Sequence, residues 1–266
     1  MTALPVFGRA LRLRSRSLLA WSIGTAAFVA MMVAIFPVVR DDETFDELLA
    51  EYPEPVVALM GGELALSTGP GFMSAELYSL MLPVLVAVLA ANAAAALLAV
   101  EDERGWLSLV VSGPVTRRRV VCEVALAVAV IAAVPVVVAV LVLVLGGPLV
   151  DLEMGFGPTV DVSVTTWAFG LLFGGTALAA AGAVGRRGAA LGTATGFLLY
   201  AYAAEIVGST ASWGRTLQQA SPFHHLIATQ PAIRGLPALE LLGAAVGVLA
   251  LFALAVAAIE RRDLIG

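Results

Sequence analysis

"LPVLVAVLAANAAAALLAVEDERGWLSLVVSGPVTRRRVVCEVALAVAVIAAVPVVV", residues 82–138, sets two long apolar runs on either side of a short charged bridge. Each run approaches the roughly 20 residues a helix needs to cross a bilayer core. The bridge has its own pattern. It opens on Glu101, Asp102 and Glu103, places Trp106, Leu109 and Val110 at helical spacing, meets Gly113 and Pro114, and ends in Arg117, Arg118 and Arg119. The spacing predicts a short helix with one apolar face. Three acids would load its N-terminal end, where the helix dipole favours negative charge. Gly113 and Pro114 would stop it. Thr116 is then a natural N-cap for the helix that re-enters the membrane.

The rest of the chain extends this pattern. Of 266 residues, 60% are hydrophobic and 13% charged, and the mean hydropathy is +0.96. A soluble domain is about half apolar and a quarter charged, so these few charges predict a bilayer as solvent. Six spans are expected, at 18–39, 77–100, 124–145, 164–184, 189–207 and 239–259. The fourth and fifth are separated only by Gly185, Arg186, Arg187 and Gly188, which requires a tight antiparallel hairpin. The first apolar run is longer than a signal-peptide core. It is followed by Asp41, Asp42 and Glu43 rather than a cleavage site, so a retained span is expected.

All fifteen basic residues are arginine. Twelve of them (Arg9, Arg12, Arg14, Arg16, Arg104, Arg117, Arg118, Arg119, Arg186, Arg187, Arg261 and Arg262) fall on one side of a six-span topology. Arg40, Arg215 and Arg234 fall on the other. Positive charge favours the cytoplasm, which places both termini there. The extracytoplasmic loops are then 40–76 and 208–238. The first contains a capping box at Thr44 and Glu47, so a short helix is expected to start there and end before Pro53. The second is aromatic and apolar for a loop. Short helices packed back on the bundle are expected, since irregular backbone at membrane depth must rest on protein.

Residues 1–17 are amphipathic. Leu4, Phe7, Leu11 and Leu18 fall on one side and Arg9, Arg12 and Arg16 on another, which predicts an interfacial helix. Arg14 lies near the apolar side and would have to snorkel. This helix could serve as an anchor and topology signal, or as an elbow that also touches a cytoplasmic partner.

Several function classes lack their residues. Without lysine there is no phosphate-binding Gly-rich loop of the Walker type, so the chain has no ATPase site of that kind. Neither a Gly-x-Ser-x-Gly elbow nor a His-Glu-x-x-His zinc helix is present. Polar residues inside the spans are sparse, which argues against a relay of buried carboxylates in an ion-coupled carrier. The single cysteine, Cys122, can form no internal disulfide and is expected to be a small apolar filler.

The bridge carries a family resemblance. Glu101, Gly105, Leu107, Val110, Val111, Pro114, Thr116 and Arg117, at their spacing, resemble the loop between spans two and three in permeases of type-2 ABC transporters. "EYPEPVVALMGG" and "GPGFMSAELYSLMLP" are similar to the outer loop of one branch, "SPFHHL" to the segment before the last span, and "ERRDL" to the common ending. Trp106 departs from the pattern, where threonine is usual. The resemblance covers nearly the whole chain. It implies an all-α polytopic membrane protein, a single permease domain over 1–266. The domain has six transmembrane helices, an N-terminal interfacial helix and a cytoplasmic coupling helix within 101–119.

The function implied by the resemblance is that of the membrane subunit of an ATP-driven exporter in a prokaryotic cytoplasmic membrane. Two permease chains, identical or paralogous, would form the substrate pathway. Each would seat a separate ABC ATP-binding subunit, where ATP and magnesium would be held. The permease itself would bind no cofactor, metal or nucleic acid and would have no catalytic residues. Its coupling residues would be Glu101, Glu103, Gly105, Trp106, Leu107, Val110, Pro114, Thr116 and Arg117.

Other residues admit two readings. Gly188, Gly192 and Gly196, and likewise Gly243 and Gly247, form small-residue stripes that suit close helix packing within one chain or a seam between chains. Asn92 sits mid-span as an interhelical hydrogen-bond partner or as a pathway residue. Glu205, near an outer helix end, is a snorkelling carboxylate or a substrate ligand. His224 and His225 are adjacent, a poor geometry for chelation. Two alternatives stand beside the exporter: a secondary carrier or membrane scaffold, and an intramembrane protease. The protease would need a dyad from Ser209 or Ser221 with His224 or His225.

Overall fold

The computed structural model describes residues 4–41, 66, 68–105 and 115–262, and all regular structure among them is helical. Among the described residues, six helices are long and apolar enough to cross a membrane. Helix α1, Pro5–Arg40, starts with a proline in its first turn, where the missing N–H costs nothing. It runs unbroken into the first span, so no helix boundary separates 1–17 from 18–39. Its 36 residues reach about 54 Å, well beyond a hydrocarbon core of roughly 30 Å.

Helix α2, Gly69–Glu103, begins eight residues before the expected start of span two. The cause is local. Thr68 Oγ1 accepts the Gly71 N–H at 3.2 Å, and Pro70 fills the first turn. Two widened turns interrupt the helix at Ser74–Tyr78 and Ala95–Ala99, and the chain jogs at Leu80. The expected short helix at residues 44–53 lies outside the described residues.

Helix α3, Arg117–Gly146, is N-capped as the sequence predicts, with Thr116 Oγ1 accepting the Arg119 N–H at 3.3 Å. Helix α4, Phe156–Val184, ends at Gly185, whose φ of +69° closes the turn by donating its N–H to the Ala181 carbonyl. Helix α5, Arg187–Thr210, follows after Gly185 and Arg186, so the hairpin is even tighter than expected. Three short helices come next: α6, Arg215–Gln219; α7, Pro222–Leu226; and α8, Pro231–Arg234. The last span is α9, Ala238–Arg261.

Helix α4 is the centre of the bundle and packs against α2, α3, α5 and α9, while α1 packs on α3. Its glycines allow this. A Cβ at Gly170 would lie 2.4 Å from Val86 Cγ1, and one at Gly182 would lie 2.7 Å from the Ala255 carbonyl oxygen. The close-packing stripe is therefore on α4. At Gly188, Gly192, Gly196 and Gly243 an added Cβ would meet nothing within 4 Å, whereas Gly247 does approach Leu172. The α5 stripe is thus not a packing face among the described residues. Cys122 is exposed rather than an internal filler, because it sits on the outward side of the first turns of α3.

Candidate functional site

The arginine-rich helix ends gather at one end of the bundle, around the two stems of the 101–119 loop. Glu101, Asp102 and Glu103 form the last turn of α2, not the first turn of a new helix. Gly105 ends that turn with φ +71° and donates its N–H to the Asp102 carbonyl at 2.9 Å. Acids at a helix C-terminus oppose the dipole. Cations from other elements compensate here. Glu101 is 7% exposed and pairs with Arg9 of α1 at 2.8 Å and Arg104 at 3.7 Å. Asp102 pairs with Arg262 beyond α9.

The same residues cap neighbouring helices. Glu103 Oε1 accepts the Arg187 N–H at 2.9 Å and so satisfies an open donor at the start of α5. Arg262 donates to the Ala181 and Gly182 carbonyls at the end of α4, at 3.2 and 3.3 Å. From the other stem, Arg117 donates to the Ile259 and Arg262 carbonyls at the end of α9, at 3.1 and 2.6 Å. Helix α1 has no side-chain cap of its own. Glu123 supplies one from α3: its Oε2 accepts the Val6 and Phe7 N–H groups at 2.8 and 3.0 Å, while Oε1 holds Arg119 Nε at 2.8 Å. The termini of α1, α4, α5 and α9 are thus all tied to the stems of one loop.

Sequence reasoning found part of this cluster. Glu101, Glu103, Gly105 and Arg117 belong to it, and Thr116 starts the second stem. Trp106, Leu107, Val110 and Pro114 lie outside the described residues. The reading missed Arg9, Asp102, Glu123 and Arg262. Glu123 had a signal: an acid four residues after Arg119 that interrupts an apolar run. Arg14 does not snorkel. It turns into the bundle and donates to the Asn92 carbonyl at 3.1 Å, just before the widened turn of α2. The Asn92 side chain is half-buried and makes no hydrogen bond among the described residues.

Residues 5–259 match the family described as "Multidrug efflux system permease Rv1217c, C-terminal domain". The chain belongs to that family. No curated protein sequence matches it. The match supports the sequence-based recognition of an exporter permease, and with six apolar helices it makes the chain a multi-pass transport subunit.

Toward the opposite end of this permease, aromatic rings pack together. Phe169 of α4, Tyr202 of α5 and Phe223 of α7 interlock, with 4.5 Å between the Tyr202 and Phe223 ring centres. The loop after α5 therefore packs back on protein, as its apolar composition predicts. Glu205 is 4% exposed, so it does not snorkel. It accepts from Gln218 Nε2 at 3.0 Å and faces His224 Nδ1 at 3.3 Å. His225 turns elsewhere, with Nε2 2.7 Å from the Gln219 carbonyl oxygen. Ser221 donates to the Ala201 carbonyl and accepts the Phe223 N–H, and Ser209 donates to the Ile206 carbonyl. No serine–histidine hydrogen bond joins these residues.

Proposed function

We propose that this permease is the membrane subunit of an ATP-driven exporter whose coupling element is the 101–119 loop. A separate ABC ATP-binding subunit would seat on that loop. The observation that carries the reading is the cluster at its stems. A load applied between Gly105 and Val115 meets Glu101, Asp102 and Glu103 on one side and Arg117, Arg119 and Glu123 on the other. Through them it reaches α1, α4, α5 and α9. Charge-assisted hydrogen bonds are short and directional, so they pass displacement from helix to helix better than apolar contact does. ATP and magnesium would be bound by the partner alone.

Two permease chains, identical or paralogous, would form the pathway. The open glycine face of α5 supports a seam there, since small residues let helices approach closely in lipid. The arginine-rich end would face the cytoplasm of a prokaryotic cell membrane, with both termini on that side.

The test is a mild-detergent purification from the native membrane. A P-loop ATPase is expected to co-purify at one copy per permease. Gly105→Ala should leave insertion intact while separating ATP hydrolysis from transport, because a Cβ is strained at φ +71°. Recovery of the chain alone, without ATPase activity, would refute the reading. Orientation is tested at Cys122: an impermeant maleimide should label it only after the cells are permeabilised.

A further inference from the structure

A groove of about 480 Å³ lies between α5 and α9, and Leu172 of α4 and Leu226 of α7 also line it. Small-molecule sites fall in the range of about 300–1,000 Å³ and combine apolar walls with few polar groups. This one fits that description. Phe197 of α5 forms one wall, its ring fixed against Phe173 at 5.0 Å and stacked on Tyr200 at 6.3 Å. Leu239 of α9 also lines the groove. The polar lining is one carboxylate, Glu240, and one imidazole, His225.

These two groups decide the charge of the occupant. His225 already uses Nε2 on the Gln219 carbonyl. Glu240 is half-buried, and no ion pair reaches it among the described residues. A half-buried carboxylate beside apolar walls favours a cation and disfavours an anion. An acyl chain would fill the walls but leave Glu240 with only the N-terminal dipole of α9 to offset its charge. We propose that the groove binds amphiphilic monocations, with an aromatic body against Phe197 and Leu226 and the charge beside Glu240. The proposal deepens the efflux reading by naming a substrate class and its entry site from the bilayer. It does not require ATP coupling.

Gly243 lines the groove, and an added Cβ there meets nothing within 4 Å, so a larger side chain can fill the space without moving the bundle. The experiment is equilibrium dialysis of labelled tetraphenylphosphonium against the purified permease in nanodiscs, with empty nanodiscs subtracted. Tetraphenylborate, of the same shape and opposite charge, is run in parallel. Saturable binding of the cation is expected. Glu240→Gln should weaken it by about tenfold or more, Glu240→Asp should retain most of it, and Gly243→Leu should abolish it. Tetraphenylborate should bind less well and gain from Glu240→Gln. Unchanged melting of each variant establishes that the fold is retained.

Absence of saturable cation binding would overturn the proposal. So would equal binding of the two ions, which would make the groove a slot for lipid chains. Cation binding that survives Gly243→Leu would place the site elsewhere. A shift from two copies to one in that variant would make the groove a seam between chains. None of these outcomes bears on whether an ATPase co-purifies, so the two readings fail separately.

Discussion

At the arginine-rich end of the bundle, Glu103, Glu123, Arg117 and Arg262 each leave one helix to cap another. At the opposite end, Phe169, Tyr202 and Phe223 interlock, and the buried Glu205 carboxylate faces Gln218 of α6 and His224 of α7. Capping bonds are directional and weaken in salt when exposed. Aromatic packing scales with buried area and ignores salt. In the proposed exporter, one end would carry displacement between helices, and the other would stay closed while they move.

The largest expected effect lies at the closed end. Phe223 is 1% exposed and fills the space between α4 and α5. Phe223→Ala should cost about 3–5 kcal/mol, read as a lower midpoint in denaturant or heat. The loss should be the same at low and high salt. A cost that shrinks in salt would erase the contrast between the ends.

Glu123 comes next. Removing it leaves the first turn of α1 without its cap and breaks the pair with Arg119. Glu123→Ala should cost about 2 kcal/mol. Hydrogen exchange at the Val6 and Phe7 amides should accelerate, while the α7 amides stay protected. Glu123→Gln, which keeps an acceptor, should fall between. Unchanged exchange at Val6 and Phe7 would show that water replaces the cap fully.

The spans were legible because bilayer thickness fixes the length of an apolar run, and the Gly185 turn because only a short hairpin fits two glycines and two arginines between spans. What failed was tertiary. Glu101, Asp102 and Glu103 look like the start of a helix by dipole logic, yet they end one, because Arg9, Arg104 and Arg262 supply the cations that make this tolerable. Gly69, Pro70 and Gly71 resemble loop residues, but Thr68 and Pro70 start α2 there. Glycine spacing showed that helices could approach, not which face would meet which: α4 used its glycines for packing and α5 left its own open. Glu123 caps backbone 117 residues earlier in the chain, a pairing no local pattern encodes.

A smaller effect tests whether the arginine-rich end acts as a unit. Asp102 and Arg262 are mostly buried, at 17% and 20% side-chain exposure, and Arg262 also holds the end of α4. A double-mutant cycle of Asp102→Asn and Arg262→Gln should give a coupling of about 1 kcal/mol. Arg262→Gln alone should cost more than Asp102→Asn alone, since it also releases two carbonyls. Equal single costs would mean that the carbonyl caps contribute nothing.

The smallest effect discriminates most sharply between holding and transmitting. Arg9 is 40% exposed, so its pair with Glu101 is partly screened, and Arg9→Gln should cost only about 0.5 kcal/mol. Stability is then a poor measure of what the pair does. If the loop stems pass motion to α1, Arg9→Gln should still lower transport per ATP hydrolysed by several-fold, and a charge-swapped Arg9→Glu with Glu101→Arg should recover part of the loss. Raising salt should mimic the single substitution in the wild-type protein and leave the variant unchanged. A variant that transports normally at every salt concentration would show that α1 follows the bundle through its apolar contacts with α3, and the charged tie at Arg9 would be an anchor alone.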